Sequence, residues 1–337
     1  MNERKERRTC WLHCTAGLLC LLFGAGAGAQ TTATATDWPG KLITIVTPFA
    51  PGGTDLAVRH YTNSISADFP QWKFVYDFRQ GAQGAIAHGY LAKSAPDGYT
   101  LAVTSTTLLL IEIMETRPPY EEKNFSPVYL LTRSPQMVAV NVALPVKSMP
   151  EFVAYAKANP GKINYAMIGS TGVQRLLGEY LQDLLGVKLT FVPYKGTGAI
   201  GPAMMSGEVD ATFQAPRNLL APIKAGKVRG LANSGLPGYT FPQLPDIKTF
   251  AESGAPAFEH FAWVALHAPA GTPLPIRTSI NRMFNAALKK PEVIKGFQTT
   301  GDTPGGGSVE DFEKYMEVQR DRWVGTAKRL GIRLTGD

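Results

Sequence analysis

The five histidines, His13, His60, His88, His260 and His267, are where metal or general-base chemistry would first be sought. No two stand three or four residues apart, the spacing that sets two ligands on one helical face, so no metal site is expected. His60 and His88 fall within helical patterns and read as ordinary surface or core residues. Nucleophile motifs are absent in the same way. Gly169-Ser170-Thr171-Gly172 lacks the spacing of a G-x-S-x-G elbow, and Gly305-Gly306-Gly307 lacks the Lys-Ser/Thr of a phosphate loop. A triad built on Ser105 or Ser170 could still assemble in space, which keeps a hydrolase among the alternatives.

Three polar loops carry a different chemistry: residues 49–54, Ser105-Thr106-Thr107, and Gly169-Ser170-Thr171-Gly172. Each follows a strand-like run and leads into a helix-like one. Small residues there let backbone N–H groups approach a ligand, and the helix start adds a partial positive charge. Such a site holds a carboxylate without lysine or arginine. The alternative for any one loop is that Gly52 and Gly53 only make a turn.

The elements that must position these loops alternate, which argues for α/β layers. Residues 42–46 read as a buried strand, followed by a helix with Val58, Tyr61 and Ile65 on one face. Residues 73–76 and 99–104 read as strands and 84–93 as a helix between them. The middle of the chain repeats the grammar, with strands at 137–142, 164–167, 188–192 and 209–214. Ser148-Met149-Pro150-Glu151 is a capping box with proline in the first turn, and that helix stops at Asn159-Pro160-Gly161. Leu176, Leu177, Tyr180, Leu181 and Leu184 give the next helix its core face. The last third returns to long helices, one opened by Thr272-Pro273. The other is capped by Ser308, carries Phe312, Tyr315, Met316, Gln319, Trp323 and Leu330, and closes at Gly331. Those aromatics are a core stripe rather than a cofactor box. With no flexible linker inside this stretch, two sub-domains joined by crossing strands are expected.

The N-terminus has the form of an export signal. Arg4, Lys5, Arg7 and Arg8 precede a short apolar stretch, residues 16–23, and Ala27-Gly28-Ala29 fits signal peptidase. The stretch is shorter than the roughly 20 residues of a membrane-spanning helix. Cleavage between Ala29 and Gln30 would leave 308 of the 337 residues, enough for one large or two medium domains. Cys20 follows Leu19, a poor lipoprotein context. The three cysteines, Cys10, Cys14 and Cys20, all lie in the signal, which excludes disulfides, thiolate metal sites and a cysteine nucleophile from the rest. Of the formal charge of +7, the signal carries +2. No Lys/Arg run of five follows it, so nucleic acid is a poor partner.

Together these residues make the chain resemble the Bug (TctC) family, the extracytoplasmic substrate-binding proteins of tripartite tricarboxylate transporters. The likeness runs from Trp38-Pro39 to about Ile332. It is carried by Pro48-Phe49-Ala50-Pro51-Gly52-Gly53-Thr54-Asp55, Arg79-Gln80-Gly81-Ala82-Gln83-Gly84 and Ala95-Pro96-Asp97-Gly98-Tyr99-Thr100. Leu144-Pro145-Val146-Lys147-Ser148, Val192-Pro193-Tyr194-Lys195-Gly196, Ile223-Lys224-Ala225-Gly226-Lys227 and Ala268-Pro269-Ala270-Gly271-Thr272-Pro273 extend it. Each is weak alone; their order and spacing are specific.

The resemblance implies a periplasmic, type II Venus-flytrap fold: two α/β domains with two crossover strands closing over a small carboxylate. Domain I would comprise residues 38–138 plus 260–337, and domain II residues 139–259. Phe49, Pro51, Gly52, Gly53, Thr54 and Asp55 would form one wall, with Gln83, Ser105 and Thr106 beside them. Gly169, Ser170 and Thr171 would approach from domain II, and Tyr194, Gln214 and Trp263 would line the remainder. The resemblance also implies a monomer without cofactor, serving membrane permease subunits or, as an orphan receptor, a sensor kinase. The chain departs from the family pattern in four places. One residue rather than two separates Gly53 from Asp55, Gln83 replaces a glycine, and Arg175 stands where histidine is common. Gln214 is neutral where an acidic residue often pairs with a ligand ammonium, which argues against amino-acid ligands.

Overall fold

The computed structural model describes residues 38–49, 51, 54–115, 117–168, 173–194, 197–300 and 302–331. The expected signal peptide lies outside the described residues.

The apolar run at 42–46 becomes β1 (Ile43–Thr47), buried along most of its length as a central parallel strand must be. It feeds α1 (Asp55–Asp68), then β2 (Phe74–Phe78), α2 (Ala85–Ala92), β3 (Thr100–Ser105) and α3 (Thr107–Met114). A long strand, β4 (Phe125–Pro135), runs almost directly into β5 (Met137–Asn141), with Gln136 between them. There follow α4 (Met149–Ala158), β6 (Asn164–Ile168), α5 (Val173–Leu185), β7 (Thr190–Tyr194), α6 (Thr197–Ser206), β8 (Ala211–Gln214), α7 (Leu220–Lys224) and β9 (Val228–Asn233). The chain closes with β10 (Phe261–Pro269), α8 (Leu274–Leu288), α9 (Pro291–Thr300) and α10 (Val309–Arg329). Ser148 and Ser308 cap α4 and α10 through their hydroxyls, as their sequence contexts predict.

Two five-stranded sheets result, ordered β2-β1-β3-β10-β4 in lobe I and β7-β6-β8-β5-β9 in lobe II. In each, three parallel strands joined by helices meet two antiparallel ones. The chain passes from lobe I to lobe II at Gln136 and returns between β9 and β10, so there are two crossovers. Ser234 ties them together: its N–H donates to the Gln136 carbonyl (2.8 Å), and the Gln136 N–H donates to its hydroxyl oxygen (2.9 Å). That hydroxyl donates in turn to the His260 carbonyl, while the His260 N–H donates to the Ser234 carbonyl (2.9 Å).

The apolar cores divide by face. On one face, α1, α8 and α9 cover lobe I around Tyr61, Phe284 and Phe297, and α6 with the β9–β10 connection covers lobe II around Met204, Phe241 and Ile247. These two cores are separate. On the other face one core runs through both lobes, from Leu108 and Tyr120 through Trp263 to Phe152 and Leu177, with Phe312, Met316 and Trp323 of α10 within it. The far end of α10 grips lobe II, where Arg329 pairs with Asp183 (3.2 Å) and lies over the Tyr180 ring.

The turn that leads to α10 sits against β4 with no room for a side chain. A Cβ on Gly305 would lie 2.2 Å from the Leu130 carbonyl oxygen. The backbone there is pinned by Gly305 N–H to Leu131 and Gly306 N–H to Leu130, both 2.9 Å. Replacing Gly305 with alanine is expected to cost about 1–3 kcal/mol, the range for forced overpacking. Urea denaturation would read this, and an unchanged midpoint would mean that the turn moves off β4 freely.

Candidate functional site

Ligands of open α/β sheets bind beyond the carboxyl ends of the parallel strands. Here register places both sets of ends at the crossovers. In lobe I, Ser105 at the end of β3 stands opposite Val264, near the start of β10, and Phe261 stands opposite Pro135 at the end of β4. In lobe II, Gln214 at the end of β8 and Asn233 at the end of β9 both stand opposite Met137, the first residue of β5. The two sheets therefore direct their carboxyl ends toward one region bounded by Gln136. A molecule held there would touch residues of both lobes.

From lobe I, the loop after β1 brings Phe49, half-buried, and Pro51, exposed. Thr54 precedes α1, and its hydroxyl is buried without a hydrogen-bond partner. Asp55 is buried and ion-paired with Arg59 (2.8 Å), one turn along α1, whose guanidinium lies over the Tyr76 ring. Its charge is thereby already engaged inside lobe I. Gln83 is exposed and adopts φ +53, inside the turn whose neighbour Gly81 takes φ +123. Ser105 shares a hydrogen bond with Thr107 (3.0 Å), and Thr106, buried, precedes α3. Gly52, Gly53, Gly169, Ser170 and Thr171 lie outside the described residues.

From lobe II, Tyr194 ends β7 and donates its hydroxyl to Glu208 (2.6 Å); burial and that carboxylate push the phenol up to about 12. Gln214 is 2 % exposed. Its Oε1 accepts from Asn218 (3.3 Å), while its Nε2 is buried with no acceptor. Back in lobe I, Trp263 of β10, 1 % exposed and opposite Arg133, likewise has an indole N–H without an acceptor. A buried unpaired donor costs about 1–3 kcal/mol, which a ligand oxygen could recover.

Sequence reasoning did not single out Gln136 and Ser234. A glutamine between two apolar runs and a serine after a strand have no periodic signature. The Oε1 of Gln136 is also buried without a donor.

Among the described residues, Ser105 bonds Thr107 and no histidine. His267 Nδ1 bonds the Thr104 hydroxyl (2.7 Å), and His88 Nδ1 bonds the Tyr120 hydroxyl (3.1 Å). Both rings are buried in lobe I, and burial lowers them to about 3 and about 4. No cluster of three or more His, Cys, Asp or Glu side chains suited to a metal occurs among the described residues. Nor is any helix among them long and apolar enough to cross a membrane.

The chain is similar to known proteins in sequence and fold. Residues 58–332 match the family model described as the tripartite tricarboxylate transporter family receptor. Protein BugT of Bordetella pertussis is 31 % identical over 317 residues, covering 93 % of this chain and 96 % of that protein. Among solved structures, Rpa4515 of R. palustris with adipate superimposes with a TM-score of 0.77 at 32 % identity, covering 88 % of this chain and 99 % of that one. MatC of Rhodopseudomonas palustris with bound malate gives 0.72 at 28 % identity, covering 86 % and 99 %.

Proposed function

The chain belongs to the tripartite tricarboxylate transporter receptor family, as a solute-binding protein and not an enzyme, and from that premise we propose that its ligand is a small carboxylate lacking an amino group. The observation that carries this reading is Gln214. At the carboxyl end of β8 it offers a buried N–H donor and no negative charge. An amide donor suits a carboxylate oxygen, whereas a ligand ammonium would need an acceptor or an anion there. Adipate and malate, held by the two related structures, have that chemistry.

Loops at helix starts add backbone donors without a fixed cation, so binding is strong enough to capture and weak enough to release. Contact with both lobes couples occupancy to closure, because the ligand gains its full set of contacts only when the lobes meet. The closed receptor then delivers its ligand to the membrane permease subunits of a tripartite transporter.

A thermal-shift series tests the reading with adipate, malate, their diamides and the amino acids aspartate and glutamate. Saturation at about 100 times Kd adds about 2.7 kcal/mol, an easily measured rise. The acids are expected to stabilise, and the diamides and amino acids to leave the melting point unmoved. Equal shifts from an acid and its diamide would refute the carboxylate. A shift from aspartate or glutamate matching that from malate would refute the exclusion of an amino group.

A further inference from the structure

We propose that the polar contacts between lobes I and II on the face where their cores are separate form a latch for the closed arrangement. Three contacts make this seam. Arg217, just beyond Gln214 in lobe II, pairs with Asp302 of the α9–α10 turn in lobe I. The Tyr239 hydroxyl, from the β9–β10 connection, shares a hydrogen bond with the Thr303 hydroxyl (2.8 Å). The Gln243 side-chain amide donates to the Gln298 carbonyl at the end of α9.

The lobe I side is held in place by β4. Arg133 N–H donates to the Thr303 carbonyl (2.9 Å), Thr303 N–H donates to the Ser134 hydroxyl (3.0 Å), and that hydroxyl donates to Asp302 (3.2 Å). Asp302 and Thr303 are therefore held on Ser134 and Arg133, two and three residues before Gln136 in the chain. Asp302 is only 13 % exposed and Arg217 is 44 % exposed, so the anion is fixed and the cation is free to leave.

The two faces of the molecule differ in what separation would cost. Parting the face under α10 would expose a continuous apolar core, at about 25 cal/mol for each Å². Parting the seam replaces three polar contacts by water, which costs little. Rotation about the Ser234-tied crossovers therefore opens the seam and keeps the α10 face as pivot. Arg217 follows Gln214 by three residues, and its neighbour Asn218 donates to the Gln214 side chain (3.3 Å), so the seam borders the carboxyl end of β8.

The seam can be tested on the chain from Gln30, which contains no cysteine. Leu42→Cys in lobe I and Met205→Cys in lobe II, both exposed, would carry spin labels whose separation is read without ligand. The parent is expected to show a main population at the short distance. In Arg217→Ala/Tyr239→Phe the ratio of closed to open molecules should fall about fivefold, the scale of a partly exposed ion pair with its neighbour. Arg217→Lys should restore part of it, and high salt should open the parent but not the double variant. A melting curve establishes that each variant is folded. Identical distributions in parent and double variant, or a shift to shorter distances, would overturn the latch. Because no ligand enters the measurement, its outcome is separate from that of the carboxylate screen.

Discussion

Lowering the pH from about 7.5 to about 5 is expected to remove on the order of 3–6 kcal/mol of folding stability. Three histidines are buried: His88 and His267 in lobe I, and His260 at the second crossover. Burial lowers His88 to about 4 and both His260 and His267 to about 3; the Arg322 charge adds to the effect on His260, and His88 to that on His267. Their ordinary value is 6.5. The unfolded chain therefore takes up protons below about pH 6.5 that the folded chain refuses, so stability present above that value is lost as pH falls. Each ring contributes about 1–2 kcal/mol by pH 5. Carboxylates held low by hydrogen bonds, such as Asp311 and Glu252, add to the loss only at lower pH, below their ordinary values of 3.8 and 4.5. Since a whole domain is stable by only about 5–15 kcal/mol, the histidines alone bring it close to unfolding. Denaturant midpoints across pH 7.5, 6.5, 5.5 and 5 would read the slope, and a flat profile would mean that the rings accept protons within the fold.

Gln214→Leu should separate binding from stability with opposite signs. Leucine keeps much of the shape, gives up the 3.3 Å bond from Asn218 and removes a buried N–H that has no acceptor. Replacing a poorly satisfied polar group by an apolar one of similar shape is close to neutral or stabilising. Ligand affinity, by contrast, should fall about 10- to 100-fold, since a hydrogen bond to a charged oxygen contributes about 1.5–3 kcal/mol. Calorimetric titration with adipate beside a urea curve measures both quantities. Unchanged affinity would place the ligand away from β8 and remove the main support for the carboxylate reading.

The strands and helices flanking the three loops were legible because their signals are local: a buried β-branched run for β1, capping boxes at Ser148 and Ser308, a leucine stripe on α5. Strands β4 and β10 were not. Residues 125–135 mix proline, serine and threonine with apolar positions, and residues 261–269 include Trp263 and His267. Their pairing is set by partners more than 100 residues away, so tertiary context and not local pattern makes them strands. The three candidate loops share one design in the sequence, helix starts with small residues. Chemistry alone could not say which side chains keep an unpaired atom. Asp55 looked available from its position, and its ion pair with Arg59 appears only when α1 is built. Arg217 and Asp302, 85 residues apart in sequence, carry no motif that would join them.

The long helix at the end of the chain also governs when the molecule can fold. Phe312, Met316 and Trp323 belong to the core that both lobes share, so during synthesis that core stays uncovered until α10 emerges. The earlier segments can pair their strands but cannot bury their common surface. Burial of that shared core thus waits for α10 to be made, whatever the earlier segments have already formed.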